Sequence, residues 1–211
     1  MTTPVRPAAP PRGGPALPGV EYLAATAARP PVEVHRSTRR RRGGQAGLRD
    51  GRVVLRIPAG LPPEEDRAMV DALLGKVLRA HTVEQRGGDA WLLDRARRLA
   101  DRYLDGVHAS DVRWSPRMQH RWGSCTTSTG EIRISDRLAG APDLVLDYVL
   151  VHELAHLHVR GHDRRFHALV ARYPHVERAR GYLDGFQAGL AVGNRTAPRR
   201  EPPIDAGQPP A

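Results

Sequence analysis

Residues 143–157 constrain the fold more than any other stretch, because they are apolar on nearly every side and contain neither glycine nor proline. A helix that is hydrophobic all round belongs in the centre of a domain. Pro142 stands near the expected first turn and Gly161 follows the stretch, and these are usual signals for the two ends of a helix. The sequence therefore predicts a buried core helix between Pro142 and Gly161.

Two histidines lie four residues apart within this helix, at His152 and His156, with Glu153 between them. Residues with this spacing stand one turn above one another, so both imidazoles can bind one ion from the same face. Glu153 is displaced by one residue and can reach a water molecule on that ion. The pattern predicts a Zn²⁺ site with Glu153 as the general base.

The third ligand is predicted to be His162. A helix that simply continued would turn His162 away from His152 and His156. Gly161 can adopt a left-handed conformation, which would let the chain turn back toward the ion. Three neutral imidazoles would leave the fourth position of a tetrahedral ion open for water.

Other polar residues near the motif have alternative interpretations. Glu177 lies at the distance at which some zinc peptidases carry a glutamate ligand, but a solvated carboxylate in a first helical turn is the favoured interpretation. His158 would face the opposite side of the helix, where it packs or meets solvent. Asp163 suits either the N-cap of a helix over residues 164–173 or a partner for His162.

Four short motifs occur in order along the chain. They are Arg-Trp-Gly-Ser-Cys at 121–125, Gly-Glu-Ile-Arg-Ile-Ser at 130–135, the histidine helix with its Asp-Tyr pair at 147–156, and His-Asp-Arg-Arg-Phe at 162–166. In this combination, the chain resembles the YgjP-like metallopeptidases, which are similar to the SprT-like and Wss-type zinc proteases. The resemblance runs from about residue 32 to about residue 187.

This resemblance implies a zincin-like catalytic domain. It places zinc on the residues that match His152, His156 and His162, and a catalytic glutamate at Glu153. Family members often carry tryptophan where this chain has His167, a departure that affects the expected substrate preference rather than the metal site.

The remaining elements predict an α+β class with a mainly antiparallel sheet packed on helices. Two strands joined by a basic loop as a hairpin are followed by two helices, two more strands, the core helix and further helices. The expected strands are 32–36, 52–57, 111–115 and 131–134, and the first two helices are 63–80 and 90–104. An exposed strand beside the metal helix could hold an extended substrate, and residues 131–135 are the candidate, with an interior strand as the open alternative.

Composition predicts a single domain at residues 31–188 between two disordered tails. Residues 1–30 and 189–211 are rich in proline and poor in large apolar residues, so neither can bury enough surface to fold. Cys125 is the single cysteine, which excludes an internal disulfide and fits a reducing compartment. The N-terminus lacks the apolar core of a signal peptide and no run is long enough to cross a bilayer, so we expect a cytoplasmic protein without membrane contact.

The chain carries 33 basic and 23 acidic residues, a formal net charge of +10. Residues 1–50 hold nine arginines and three acids, so most of the excess charge lies in this N-terminal segment. The run of four arginines at 39–42 favours a solvated loop over a dedicated binding site, with weak nucleic-acid contact as the alternative. The sequence carries no signal for an oligomeric state.

The favoured function is a zinc metallopeptidase acting on protein or peptide substrates. One alternative keeps zinc but hydrolyses a non-peptide substrate such as a nucleotide phosphoanhydride, and another is a nucleic-acid-associated SprT-like protease. The donor that would stabilise the developing oxyanion is open among Tyr148, Tyr173, His167 and Arg121. The Trp-Gly-Ser-Cys motif at 122–125 is expected to pack rather than to catalyse.

Overall fold

The computed structural model describes residues 19–27, 29–118 and 120–195, with side chains described as far as residue 190. This part of the chain contains five α-helices and seven strands arranged in two sheets. The predicted α+β class is therefore confirmed. No helix in the described ranges has the length and hydropathy of a bilayer-spanning segment.

The described chain divides into two compact units that alternate along the sequence. One comprises the described residues up to Arg95 together with Asp111–Ser124 and Arg133–Gly140. The other comprises Ala96–Ser110, Cys125–Ile132 and the described residues from Ala141 onward. The single-domain boundaries of 31–188 stay a prediction.

The first unit contains a four-stranded sheet. Its strands are β1 (Val20–Leu23), β2 (Val32–Ser37), β3 (Gln45–Arg49) and β4 (Arg52–Pro58), in the order β1-β2-β4-β3. The pairs β1–β2 and β3–β4 are antiparallel, whereas β2 and β4 are parallel.

The predicted hairpin between β2 and β4 was wrong, because the hairpin joins β3 to β4. Its turn residues, Asp50 and Gly51, both have positive φ, at 48° and 73°. Asp-Gly is a preferred pair for a two-residue hairpin turn, since both central residues must adopt this conformation. Strand β3 was missed because it contains Gly47 and no β-branched residue, a composition that disfavours strands.

Regular structure also extends into both predicted tails. Strand β1 lies inside residues 1–30, where the high proline content of the whole segment hides a short Val-Glu-Tyr-Leu strand that pairs with β2. At the other end, α5 (Val176–Arg195) continues past residue 189. Residues 1–18 and 196–211 lie outside the described residues.

The core of this unit forms on one face of the sheet. Helix α1 (Pro63–Gln85) packs against that face through partly buried apolar side chains. The fully buried strand residues are Val32, Val34, Val53, Leu55 and Ile57. Their alternation along the strands follows from the two-residue period of β-structure. The first turn of α1 carries three acidic residues after its proline, and these carboxylates offset the positive end of the helix dipole.

An ion pair joins this sheet to α1. Arg36, at the end of β2, donates from Nε and Nη2 to the two carboxylate oxygens of Asp66, at 2.8 and 2.7 Å. These hydrogen bonds hold the pKa of Asp66 below its ordinary value. Because the folded-state pKa is lowered, the stabilisation is present above the unfolded-state pKa and is lost as the pH falls through the folded-state value.

We expect Asp66→Asn to lower the free energy of unfolding by about 1–3 kcal/mol at pH 7, since it removes a charge-assisted bidentate pair. The difference from the wild type should shrink below about pH 4, where the wild-type carboxylate also becomes protonated. Urea unfolding at pH 7 and below about pH 4 measures this difference in the free energy of unfolding. Asp71→Asn is the control, because it removes an exposed carboxylate from the same helix. An equal loss in both variants would contradict this role of the pair.

A second sheet has the order β5-β7-β6, formed by β5 (Asp111–Ser115), β6 (Gly123–Thr126) and β7 (Glu131–Ser135). It follows α2 (Gly88–Tyr103) in the chain. Strand β7 is the central strand and is paired on both sides. The alternative interpretation of residues 131–135 as an interior strand is therefore confirmed, and their prediction as an exposed substrate-binding edge was wrong. Among the described residues, β6 forms one of the two edges of this sheet.

The second unit contains α3 (Asp143–Ala155), α4 (Arg164–Val170) and α5. Helix α3 is the predicted core helix, and nine of its thirteen residues are buried. Burial on all sides explains its near-continuous apolar sequence. The only charged residue among these nine is Glu153.

Candidate metal centre

Three histidines of the second unit converge at the end of α3. Their ligand atoms all lie within 4.8 Å of one another. The Nε2 atoms of His152 and His162 are 3.2 Å apart. Two ligands of a tetrahedral Zn²⁺ at about 2.0–2.1 Å lie about 3.3 Å from each other, so this spacing fits a shared ion. His152, His156 and His162 are called the histidine triad below.

The chain returns toward α3 by a different turn from the predicted one. Helix α3 ends at Ala155, and His156 is its C-cap residue in a right-handed conformation. Hydrogen bonds from Leu157 N to Leu154 O (3.0 Å) and from His158 N to Ala155 O (3.1 Å) tighten the end of the helix. Gly161 does not have a positive φ, so the predicted left-handed break at this glycine was wrong.

The ring of His156 is oriented by the backbone that follows it. Its Nδ1 lies 3.1 Å from the carbonyl oxygen of Val159. A carbonyl only accepts, so Nδ1 carries the proton and donates, which leaves the Nε2 lone pair for a metal ion. Hydrogen bonding of this kind holds metal-binding imidazoles in one tautomer and one orientation.

Phe166 of α4 packs against all three rings of the triad. Its ring is stacked on His156 at 4.5 Å between centroids, and meets His162 and His152 edge-on at 4.6 and 4.9 Å. The side chain is 1% exposed. The triad therefore rests on a buried aromatic ring whose role the sequence does not reveal, because a phenylalanine near a helix start looks like ordinary core.

Asp163 fixes the start of α4 and thereby the position of Phe166. Its carboxylate accepts a hydrogen bond from the backbone N–H of Phe166 at 2.9 Å. This is the N-cap interaction that the sequence predicts, and it follows directly after His162.

The imidazoles of His152 and His156 are mainly neutral at neutral pH. Burial lowers the pKa of His152 to about 4, with further lowering from His156, His162, Arg180 and His167. Burial also lowers the pKa of His156. Because metal ions bind the neutral form of imidazole, binding at neutral pH displaces no proton from these two residues.

Glu153 follows His152 of the histidine triad directly in α3 and is 7% exposed. Its charge adds to burial in raising the pKa of Cys125 to about 11, so the thiol is protonated at neutral pH. A protonated thiol is a poor nucleophile, which agrees with the predicted packing role of Cys125.

The family of the chain follows from residues 79–185, which match the YgjP-like, metallopeptidase domain family. The match covers just over half of the 211 residues and includes the whole triad. The chain belongs to the YgjP-like metallopeptidase family. A metallopeptidase requires a metal cofactor, and the triad supplies a donor set that could bind one.

The crystal structure of a metallopeptidase zymogen from Methanocaldococcus jannaschii, jannalysin, is similar to this YgjP-like chain with a TM-score of 0.37 and 16% sequence identity. The similarity covers 48% of this chain and 95% of jannalysin. No curated protein matches the sequence.

In this YgjP-like metallopeptidase, Tyr148 stands one helical turn before His152, with 6.1 Å between the ring centroids. Its hydroxyl oxygen accepts a hydrogen bond from Nε of Arg180, on α5, at 3.1 Å. The hydroxyl of Tyr173 instead donates to the carbonyl of Leu144 at 3.1 Å, which commits it to packing. Arg180 was not predicted, because it lies 24 residues after the second histidine, on a separate helix.

Glu177 and His158 are not ligands of the triad. The Glu177 side chain is 87% exposed in the first turn of α5, 3.6 Å from Arg180, and does not belong to the group of converging ligand atoms. His158 is hydrogen-bonded through Nε2 to the carbonyl of Leu104 at 3.1 Å, consistent with packing. His167 and Arg121 are exposed.

Proposed function

We propose that the protein is a zinc-dependent peptidase in which the histidine triad holds Zn²⁺ and Glu153 acts as the general base. The observation that carries the proposal is the convergence of three imidazole ligand atoms within 4.8 Å beside a buried glutamate. Three neutral nitrogen donors are a common set for catalytic zinc, which keeps a fourth position open.

Bound zinc supplies a Lewis acid that lowers the pKa of a coordinated water toward about 7 and polarises the substrate carbonyl. Glu153 takes the proton from the attacking water on its carboxylate and later gives it to the leaving amine. Burial of Glu153 limits competing contact of the carboxylate with bulk water. The remaining tasks are to align the peptide and to stabilise its carbonyl oxygen.

Strand β6 is suited to align an extended peptide. It forms an edge of its sheet among the described residues. The charge of Glu153 contributes to the raised pKa of the Cys125 thiol on this strand. A peptide that adds to a sheet edge is held by main-chain hydrogen bonds, which are independent of its sequence. We therefore assign substrate alignment to β6 in place of β7.

Tyr148 is proposed to donate to the substrate carbonyl oxygen. Because Arg180 donates to the hydroxyl oxygen, the hydroxyl proton of Tyr148 is free to point elsewhere. Tyr148 also lies on the same face of α3 as His152. Removing one such donor costs about 10²- to 10³-fold in kcat in well-characterised enzymes.

We expect Tyr148→Phe to lower kcat by about 10²-fold with little change in KM, as a donor used mainly in the transition state would. Tyr173→Phe is the matched control, since it removes a hydroxyl committed to Leu144 and should cost about 1 kcal/mol of stability without affecting kcat. Steady-state kinetics on one peptide substrate separate the two. An equal fall in kcat in both variants would remove Tyr148 from this role.

The proposed activity is tested with metal-stripped protein reconstituted with zinc, supplied with a fluorogenic peptide library and, separately, with nucleoside triphosphates. We expect zinc-dependent peptide cleavage and no phosphate release. Phosphate release without peptide cleavage would support the non-peptide alternative and overturn the peptidase proposal.

A further inference from the structure

A groove of about 880 Å³ lies in the first unit, outside the site described above. Nine residues line it, namely residues 35–42 and Arg56 of β4. Six of the nine are arginines, and none has a carboxylate or a large apolar side chain. The run of arginines in the sequence is therefore part of a formed concave surface.

The loop that carries the run of arginines, residues 38–44 between β2 and β3, is anchored to the sheet. The backbone N–H of Arg40 donates to the carbonyl of Ser37 at 3.4 Å, and the same carbonyl accepts from Ala59, which follows β4, at 3.0 Å. The Arg40 side chain donates to Oε1 of Gln45, on β3, at 2.9 Å. These bonds hold both ends of the loop beside strands of the sheet.

Most of the positive charge in the groove is uncompensated. Arg36 is the exception, because it pairs with Asp66 and Glu21. The partner of Arg40 is a neutral amide. Four of the exposed arginines that line the groove have neither an ion pair nor a side-chain hydrogen bond within the described residues: Arg39, Arg41, Arg42 and Arg56.

A second cavity adjoins the groove and is lined mainly by apolar and neutral side chains. This cavity of about 650 Å³ lies between β3 and α1, and Arg56 lines both spaces. Arg49 and Lys76 also line the second cavity, and its one carboxylate is Glu84. The six arginines of the groove, spread over about 880 Å³, offer more than one site for a phosphate, which favours a polymer with repeated negative charges over a single small anion.

We infer that this groove binds the phosphodiester backbone of a nucleic acid, without base-specific contacts. Unpaired arginines bind phosphate oxygens through several donors each, and such contacts require no apolar anchor. A protein partner would need apolar or aromatic anchors in a desolvated centre, and a membrane would favour insertion of apolar side chains. The groove lining contains neither.

The test is binding of the full-length protein to fluorescein-labelled 20-nucleotide DNA and RNA over a range of salt concentrations. The logarithm of the binding constant falls linearly with the logarithm of the salt concentration. Each lost phosphate contact makes this negative slope shallower by about 0.7–0.9. Replacing Arg39, Arg41 and Arg42 with glutamine should therefore lower affinity at least tenfold at low salt and reduce the slope by about 2–3. Arg56→Gln should reduce the slope by about one.

The matched control removes the same number of charges elsewhere, at Arg67, Arg97 and Arg117, which are exposed, line neither space and make no ion pair among the described residues. It should retain nearly the full slope. An equal loss of affinity in both triple variants would show that only the net charge of the protein matters, and would overturn the inference. Full affinity in the groove variant, or tighter binding of phosphatidylserine vesicles or polyglutamate than of either nucleic acid, would also overturn it. These measurements require no peptidase activity.

Discussion

Glu153→Gln is expected to lower peptidase activity by about 10²- to 10⁴-fold while leaving the zinc content unchanged, since general acid–base catalysis contributes a factor of this size. Glutamine has nearly the same shape as glutamate but cannot accept the proton of the attacking water. The effect should fall on kcat and on kcat/KM together, because the lost interaction belongs to the transition state.

Glu177→Gln provides the matched control for this change. It removes one carboxylate from the same unit, at a position that is 87% exposed and outside the triad. Its activity should remain within about twofold of the wild type, as surface changes of this kind have small effects. Full turnover by Glu153→Gln, at unchanged zinc content, would show that another group serves as the base.

Phe166→Ala is expected to lower the free energy of unfolding by about 3–5 kcal/mol, since the ring is almost fully buried and the change leaves a large cavity. It should also weaken zinc binding by about 10- to 100-fold, the usual cost of losing a residue that supports metal ligands. All three rings of the triad contact Phe166, so its loss removes one packing contact from each imidazole.

Leu55→Ala separates these two effects. Leu55 is also fully buried, but it lies in the core of the first sheet, so its loss should cost about 2–5 kcal/mol without changing zinc affinity. Zinc titration below the unfolding temperature of both variants makes the comparison. Equal zinc affinities in the two variants would limit Phe166 to a stabilising role.

The histidine pattern could be predicted because it depends on local geometry. Helix α3 is buried on all sides, and its composition alone indicates this. The four-residue spacing of His152 and His156 places both on one face. Asp163 was also recognisable as an N-cap, because capping involves only residues three apart.

Features that depend on long-range pairing or on backbone details were not predictable. The parallel pairing of β2 with β4 joins strands separated by β3, and nothing within either strand specifies its partner. The end of α3 at Ala155 carries no glycine or proline signal, since short hydrogen bonds close it. The contact of Arg180 with Tyr148 arises only when α5 packs near α3.

Zinc content per chain, measured by mass spectrometry after reconstitution and removal of free metal, tests the metal site most directly. The wild type and Glu177→Ala should each retain one zinc ion, whereas His162→Ala should retain almost none, because only the first two proteins keep all three imidazoles of the triad. One zinc ion retained by His162→Ala and lost by Glu177→Ala would place the third ligand on α5 and contradict the triad.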